Sequence, residues 1–333
     1  MGHHQNDLIY NIAITLIPGV GDITAKNLIS YCGSVEGVFK EKKAKLLKIP
    51  MVGETTAQSI VKHTVFKRAE EEVKYIEKHN IQTYFYLNEN YPTRLKHCID
   101  SPLLLYGDGN MNLNAKRTIA IVGTRNATEY GKSITKQFIS ELEKYDVTII
   151  SGLAYGIDIC AHKTSVDNHI PTVGLLAHGL DDLYPALHRK VAERMKQNGG
   201  LLTEFMTNTR PNRENFPKRN RVVAGMSDVV LVVEAGKKGG ALITADIADS
   251  YNREVFAVPG KVGDTYSEGC NQLIFNNRAH LALNAQKLAE MMFWDVELEQ
   301  ENKPKQRELF IDLSADEKTI LDILSSKDKL DID

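Results

Sequence analysis

Four short stretches hold the residue types able to do chemistry. The first is Gly123-Thr124-Arg125, directly after the apolar run Ile119-Ala120-Ile121-Val122. Arg125 brings a permanent positive charge and a forked set of donors that matches a phosphate. The second is Ser151-Gly152, at the end of another apolar run and ahead of Ala154-Tyr155-Gly156-Ile157-Asp158. The third, Arg210–Arg221, has five Lys and Arg against one Glu, with Phe216 near its centre. Cations that follow a sugar-phosphate backbone, beside an aromatic ring for base stacking, are what single-strand binding requires. This makes Arg213, Lys218, Arg219 and Arg221 phosphate candidates and Phe216 a stacking candidate. The plainer alternative is that some of these arginines pair with core carboxylates while Phe216 packs inside. The fourth stretch places Glu234 at a strand end, then Gly239-Gly240 and Thr244 at a helix start. Helix amino termini carry unpaired N–H groups that favour anions.

Other chemistry fits less well. The glycines at 123 and 131 do not form the dinucleotide fingerprint, and no Gly-Lys-Ser/Thr follows as in a P-loop. Asp158 and His162 are one helical turn apart and could share a metal, but no third ligand has suitable spacing. Asp158 is expected to cap its helix and His162 to bond a loop. Ser151 lacks the Gly-x-Ser-x-Gly elbow of a nucleophile. No metal and no cofactor is expected.

The elements that position these loops follow from periodicity. From Lys116, short apolar runs alternate with helical segments: Thr118–Val122, Thr148–Ile150, Thr172–Leu176, Leu201–Thr203, Asp228–Val233 and Glu254–Ala257. Alternation of this kind predicts a doubly wound, mostly parallel α/β sheet over 116–293. Its loops share one rim with Arg125, and ligands bind at such rims. An amphipathic helix is predicted from about Tyr130 to Tyr145. Residues 1–85 read as a small all-helical domain. Two turns in it resemble each other, Ile17-Pro18-Gly19-Val20-Gly21 and Ile49-Pro50-Met51-Val52-Gly53. They look like paired helix-hairpin-helix motifs, whose turn amides at Gly19 and Gly21 could hold a DNA phosphate; the plainer alternative is a small helical packing domain whose turn glycines only permit a tight backbone. Met51 replaces the first turn glycine in the second copy. Residues 66–80 read as a charged, solvated helix. Residues 86–115 read as a connector after a short strand at Thr83–Leu87, and 294–308 as a linker. Residues 309–333 begin a helix too short to bury a core.

Bulk composition is that of an ordinary globular chain, with 42% hydrophobic and 25% charged residues in 333. The formal charge of −2 conceals an asymmetry. Residues 294–333 hold six Lys and Arg against twelve Asp and Glu, leaving 35 against 31 in the rest. Cys32, Cys98, Cys160 and Cys270 are widely spaced and are expected to be reduced thiols of a cytoplasmic protein. No apolar run approaches the ~18 residues of a membrane helix. Met1-Gly2-His3-His4 does not open a signal peptide.

Seven ordered blocks resemble the DNA-processing protein A family, also called DprA or Smf. They are Gly123-Thr124-Arg125 with Tyr130-Gly131; Ser151-Gly152-x-Ala154-x-Gly156-Ile157-Asp158-x-x-Ala161-His162; Gly179-x-Asp181-x-x-Tyr184-Pro185; Phe216-Pro217-x-Arg219-Asn220-Arg221; Val233-Glu234-Ala235 with Gly240-x-x-x-Thr244-Ala245; Pro259-Gly260; and Gly269-x-Asn271-x-Leu273-Ile274. The resemblance is strongest over about 90–290. Gly239-Gly240 stands where the family usually has Ser-Gly, and Thr124 where Ser is common. The resemblance implies an extended Rossmann fold that binds single-stranded DNA. It implies delivery to a RecA-type recombinase in natural transformation, a homodimer and no catalysis. It also implies a sterile-alpha-motif-like amino-terminal domain and a winged-helix domain beginning near Leu313-Ser314. DNA contacts then map to Arg125, Arg213, Phe216, Arg219 and Arg221. Gly123, Thr124, Ser151, Gly152, Lys218, Gly239, Gly240 and Thr244 complete the expected rim. A rival reading uses Glu234 and Gly239-Gly240-x-x-x-Thr244, which are similar to the glycine loop of nucleoside-monophosphate phosphoribohydrolases. It would make the chain a nucleotide-processing enzyme. A third reading is a scaffold that binds recombinase-like partners without DNA.

Overall fold

A computed structural model describes residues 2–295 and 314–319. Residues up to Ala289 form one compact unit, and those from Glu290 onward form a second that is described by itself. The first unit is built on a nine-stranded sheet: β1 (Gln82–Phe85), β2 (Leu104–Asn110), β3 (Arg117–Val122), β4 (Val147–Ser151), β5 (Thr172–Leu175), β6 (Gly199–Thr203), β7 (Val229–Val232), β8 (Glu254–Ala257) and β9 (His280–Leu281). Their spatial order is β1-β2-β6-β5-β4-β3-β7-β8-β9. From β6 across to β9 every pairing is parallel, whereas β1–β2 and β2–β6 are antiparallel. This is the extended Rossmann arrangement.

The central strands are apolar throughout because helices cover both faces. Ile119, Ala120 and Ile121 of β3 and Val229, Val230, Leu231 and Val232 of β7 are fully buried. Burying each Ile, Val or Leu side chain contributes roughly 1.5–3 kcal/mol. The helix predicted from Tyr130 begins one residue earlier, at Glu129, and ends at Leu142, followed by a 3-10 turn at Glu143–Tyr145.

The predicted 86–115 connector is corrected by β2, which lies inside it. Gly107-Asp108-Gly109-Asn110 has the composition of a turn, yet it pairs with Gly199–Leu202 of β6. A side chain on Gly109 would meet the Gly199 carbonyl oxygen at 2.4 Å, so glycine lets these backbones approach. The predicted boundary at residue 85 is also overtaken, since β1 joins β2 in the sheet.

The helices of residues 2–79 form a core of their own, including Ile12, Leu28, Val38 and Ile60. Phe85, Leu103, Leu104 and Tyr106 of the sheet segment extend that same core. Polar bonds reinforce the junction. Arg68 donates to the Thr207 carbonyl at 2.8 Å and pairs with buried Glu72 at 2.7 Å. Lys26 donates to the Ser101 carbonyl at 2.7 Å.

In the second unit, Ser314 and Glu317 form a reciprocal capping box. The Ser314 N–H donates to Glu317 Oε2 at 2.9 Å and the Glu317 N–H to Ser314 Oγ at 3.4 Å. Most of the predicted 294–308 linker, and the winged helix beyond residue 319, lie outside the described residues.

Glu204, just after β6, is the most perturbed carboxyl at the junction. Its side chain is only 12% exposed and pairs with Arg221 at 2.5 Å. Burial raises its pKa to about 7 against the pull of Arg221, and Asp22 adds to the rise. A proton held more tightly folded than unfolded stabilises the fold at low pH, and that contribution is lost as pH rises through about 7. Chemical denaturation of wild type and Glu204→Gln from pH 4.5 to 7.5 should show this. Wild-type stability relative to the variant should fall by roughly 2–3 kcal/mol over that window. A flat difference would contradict the assignment.

Candidate nucleic-acid interface

The chain leaves β3 in one direction across the sheet, through β4, β5 and β6. It returns to pair β7 on the other side of β3 and continues to β8 and β9. The loops after β3 and β7 therefore part, and a crevice opens at their carboxyl ends. Cross-bonds hold its two lips. The Thr124 N–H donates to the Glu234 carbonyl at 2.7 Å, and the Ile157 N–H donates to the Thr124 carbonyl at 3.2 Å. The buried Glu234 carboxylate accepts the Thr128 N–H at 2.9 Å and also the Thr128 hydroxyl. Between the lips is a cleft of about 450 Å³, lined among others by Thr124, Arg125, Phe216, Arg219, Lys238 and Gly240.

Arg125 is exposed at the mouth, with its guanidinium carbon 5.0 Å from the centre of the Phe216 ring. That is a cation–π distance. No carboxylate pairs with Arg125 among the described residues. Its charge is free for a ligand. Phe216 is half-buried, on the helix Asn215–Gly225. Arg213 and Lys218 are exposed, and neither is among the residues that line the cleft. Neither has a hydrogen bond or ion pair among the described residues.

Arg219 is placed differently. It is 6% exposed and forms part of the floor, 3.8 Å from Asp158. Burial lowers its pKa, and burial raises that of Asp158 despite the mutual attraction. The Nε of Arg219 is buried without a partner. Its guanidinium lies on Gly152, where an added Cβ would fall 1.2 Å from Nη1. Gly152 is thus a packing requirement of Arg219. Arg221 corrects the sequence reading. Its side chain is 12% exposed and is consumed by Glu204, by Asp22 at 3.2 Å and by the Asp100 carbonyl. It faces the helical module and leaves the set of phosphate candidates.

Other expectations shift for similar reasons. Ser151 is fully buried, and its hydroxyl donates to the Ile121 carbonyl at 2.6 Å. The Thr244 hydroxyl donates back to the Gly240 carbonyl at 3.0 Å. Both shape the rim from within. Asp158 is in the first turn of the helix Ile157–Asp167 and accepts from the Ala154 N–H at 3.4 Å, while Gly156 is the cap. His162 bonds Thr172 of β5 at 2.8 Å, not a loop, and burial lowers its pKa to about 3. Among the described residues no group of side chains could hold a metal.

The helix after Arg125 is not the open one. Thr128 caps it, accepting from the Gly131 N–H at 3.2 Å. The free terminus belongs to the helix Gly240–Ser250, whose cap residue Gly239 supplies no side chain. Nothing lies within 4 Å of a Cβ built on Gly239, so its space opens to the cleft. Lys237 and Lys238, exposed just ahead of this terminus, were not singled out in the sequence. Their signal was present as two cations preceding a glycine pair at a helix start.

In the hairpin turns, Gly19 has φ 82° and Met51 has φ 67°, so both turns share one backbone shape despite the replacement. Asp22 and Glu54 stand in the first turns that follow. Asp22 accepts the Leu103 N–H at 2.8 Å and pairs with Arg221. The helix start after Gly21 has no side-chain cap, and the Asp22 carboxylate turns away to Leu103 and Arg221; a contact of Gly19 and Gly21 with DNA remains a proposal.

The family model for DNA recombination-mediator protein A matches residues 82–293. The chain belongs to this family. A SAM-like helix-hairpin-helix tandem model matches residues 12–64. The chain is 31% identical to the protein Smf of Synechocystis over 86% of its length and 73% of the relative's. It is 41% identical to the DNA processing protein DprA of Bacillus subtilis, over 56% of this chain and 63% of that one. The crystal structure of DprA from Streptococcus pneumoniae superposes with a TM-score of 0.69 at 27% identity, covering 85% of this chain and 96% of that one. A Helicobacter pylori DprA structure, described as showing a unique single-stranded DNA binding mode, superposes with a TM-score of 0.59 at 31% identity. It covers 65% of this chain and 96% of that one.

Gly152→Ala tests the floor. The added methyl must displace Arg219, costing about 1–3 kcal/mol of stability by overpacking. Affinity for a single-stranded oligonucleotide should fall together with the thermal midpoint. Unchanged values for both would show that Arg219 does not depend on this glycine.

Proposed function

We propose that the cleft binds single-stranded DNA and that the chain hands this strand to a RecA-type recombinase in DNA uptake and recombination. One observation carries the reading: an unpaired Arg125 stacked over Phe216, beside an uncapped helix terminus with two lysines. Phosphates would sit at Arg125, at the Gly239-Gly240 helix start, and at Arg213, Lys218, Lys237 and Lys238. Phe216 would stack on a base, worth roughly 1–3 kcal/mol. Phosphate contacts position a strand without reading it, so sequence preference is weak. The Helicobacter pylori relative, described as binding single-stranded DNA, supports the ligand. The recombinase partner comes from the family resemblance.

We assign no catalysis to the site. Glu234, the carboxylate a phosphoribohydrolase would use, is 3% exposed and accepts hydrogen bonds from the N–H and the hydroxyl of Thr128. A cytoplasmic homodimer completes the proposal. The two-residue edge strand β9 is flanked by Phe275, which is 84% exposed, and by Leu283, which is 61% exposed. An exposed edge with apolar neighbours suits pairing with a second copy. No helix among the described residues is long and apolar enough to cross a membrane.

Fluorescence anisotropy with a labelled single-stranded oligonucleotide tests the reading. Binding should survive duplex competitor and weaken steeply with salt. Arg125→Ala should lower the salt slope by about 0.7, the share of one phosphate on a single strand. Phe216→Ala should weaken binding by roughly 1–3 kcal/mol with the slope unchanged. Duplex competing as well as single strand, or hydrolysis of a nucleoside monophosphate by the same protein, would overturn it.

A further inference from the structure

The helix Asn215–Gly225 carries the stacking residue Phe216, and Arg221 lies five residues further along it. Five residues turn a helix by about 140°, so the two side chains leave on different faces. Phe216 meets Arg125 at the cleft mouth. Arg221 reaches Asp22 in the first turn of the helix Asp22–Cys32, at 3.2 Å. It also takes Glu204 at 2.5 Å and the Asp100 carbonyl. Asp22 is braced by the Leu103 N–H at 2.8 Å. Asp100 is in turn held by the Tyr251 hydroxyl. On the cleft side, Asn220 donates to the Gly240 carbonyl at 3.3 Å, joining the same helix to the open terminus. The helix is therefore fixed between the helical module and the rim.

We infer that the amino-terminal helical module acts on single-strand binding through the Asp22–Arg221 pair. Asp22 is a positioning residue. It holds the orientation of the helix that presents Phe216 and Arg219, and touches no DNA. The reasons are geometric. The pair is mostly buried, with side-chain exposures of 29% and 12%, so it is less screened than a surface pair. Arg221 is a planar fork that gathers acceptors from three separate segments, which a lysine cannot reproduce. The charge has the wrong sign for direct contact, since a carboxylate facing a phosphate repels it. This inference rests on the cleft being the DNA site.

The test uses the full chain with Asp22→Asn, Asp22→Glu and Arg221→Lys. First, hydrogen–deuterium exchange is measured on the free proteins. Asp22→Asn and Arg221→Lys should speed exchange in peptides covering 215–225 more than in those covering the central strands, and Asp22→Glu should show the wild-type rate. Second, anisotropy is measured against salt. Asp22→Asn should bind single strand roughly three- to tenfold more weakly with an unchanged slope, and Asp22→Glu should recover most of the loss. Tighter binding by Asp22→Asn would overturn the inference and favour DNA lying against the module. Unaltered exchange and affinity would overturn it as well. Absence of binding by the wild type would instead defeat the cleft assignment, while the exchange result would still report whether Asp22 holds the helix.

Discussion

The cleft exists because Glu234 ties together two loops that the sheet topology drives apart. Where the chain reverses its direction across the sheet, the ends of β3 and β7 diverge and would leave polar backbone unpaired. The Glu234 carbonyl takes the Thr124 N–H, and its carboxylate takes the Thr128 N–H and hydroxyl. A buried carboxylate is costly unless its oxygens are satisfied. Here the partners are supplied by the loop that carries Arg125. The position of the exposed guanidinium is thus set by a bond made below the surface. The same engagement ties both Glu234 carboxylate oxygens to Thr128.

The cations divide by burial into different tasks. Arg125, Arg213, Lys218 and Lys238 are exposed and have no carboxylate partner among the described residues. Their charge is available to a ligand, though screened by salt. Arg219 is beneath them in a loose pair with Asp158, and both groups are penalised by burial. Arg221 is a junction between three segments. A single basic stretch therefore yields exposed cations, a floor and a strut.

Much of this was legible in the sequence. Apolar runs such as Ile119–Val122 and Asp228–Val233 marked the parallel strands, because burial on both faces leaves no alternation to hide. The convergence of Arg125, Gly152 and Gly240 followed from parallel topology, whereas Phe216 was singled out by the basic stretch around it. β2 was missed because Gly107-Asp108-Gly109 has turn composition, and only the approach of Gly200 makes a strand of it. The fates of Arg219 and Arg221 were not readable, since their carboxylate partners are distant in sequence. Asp22 is 199 residues from Arg221.

The most direct test of the cleft is photocrosslinking of a single-stranded oligonucleotide carrying photoreactive bases, followed by mass spectrometry of the attached peptides. The account predicts attachment at Phe216 and at Tyr266, which lines the same cleft, with loss at 216 in Phe216→Ala. Attachment confined to the exposed Tyr31 and Met51 of the helical module would contradict it.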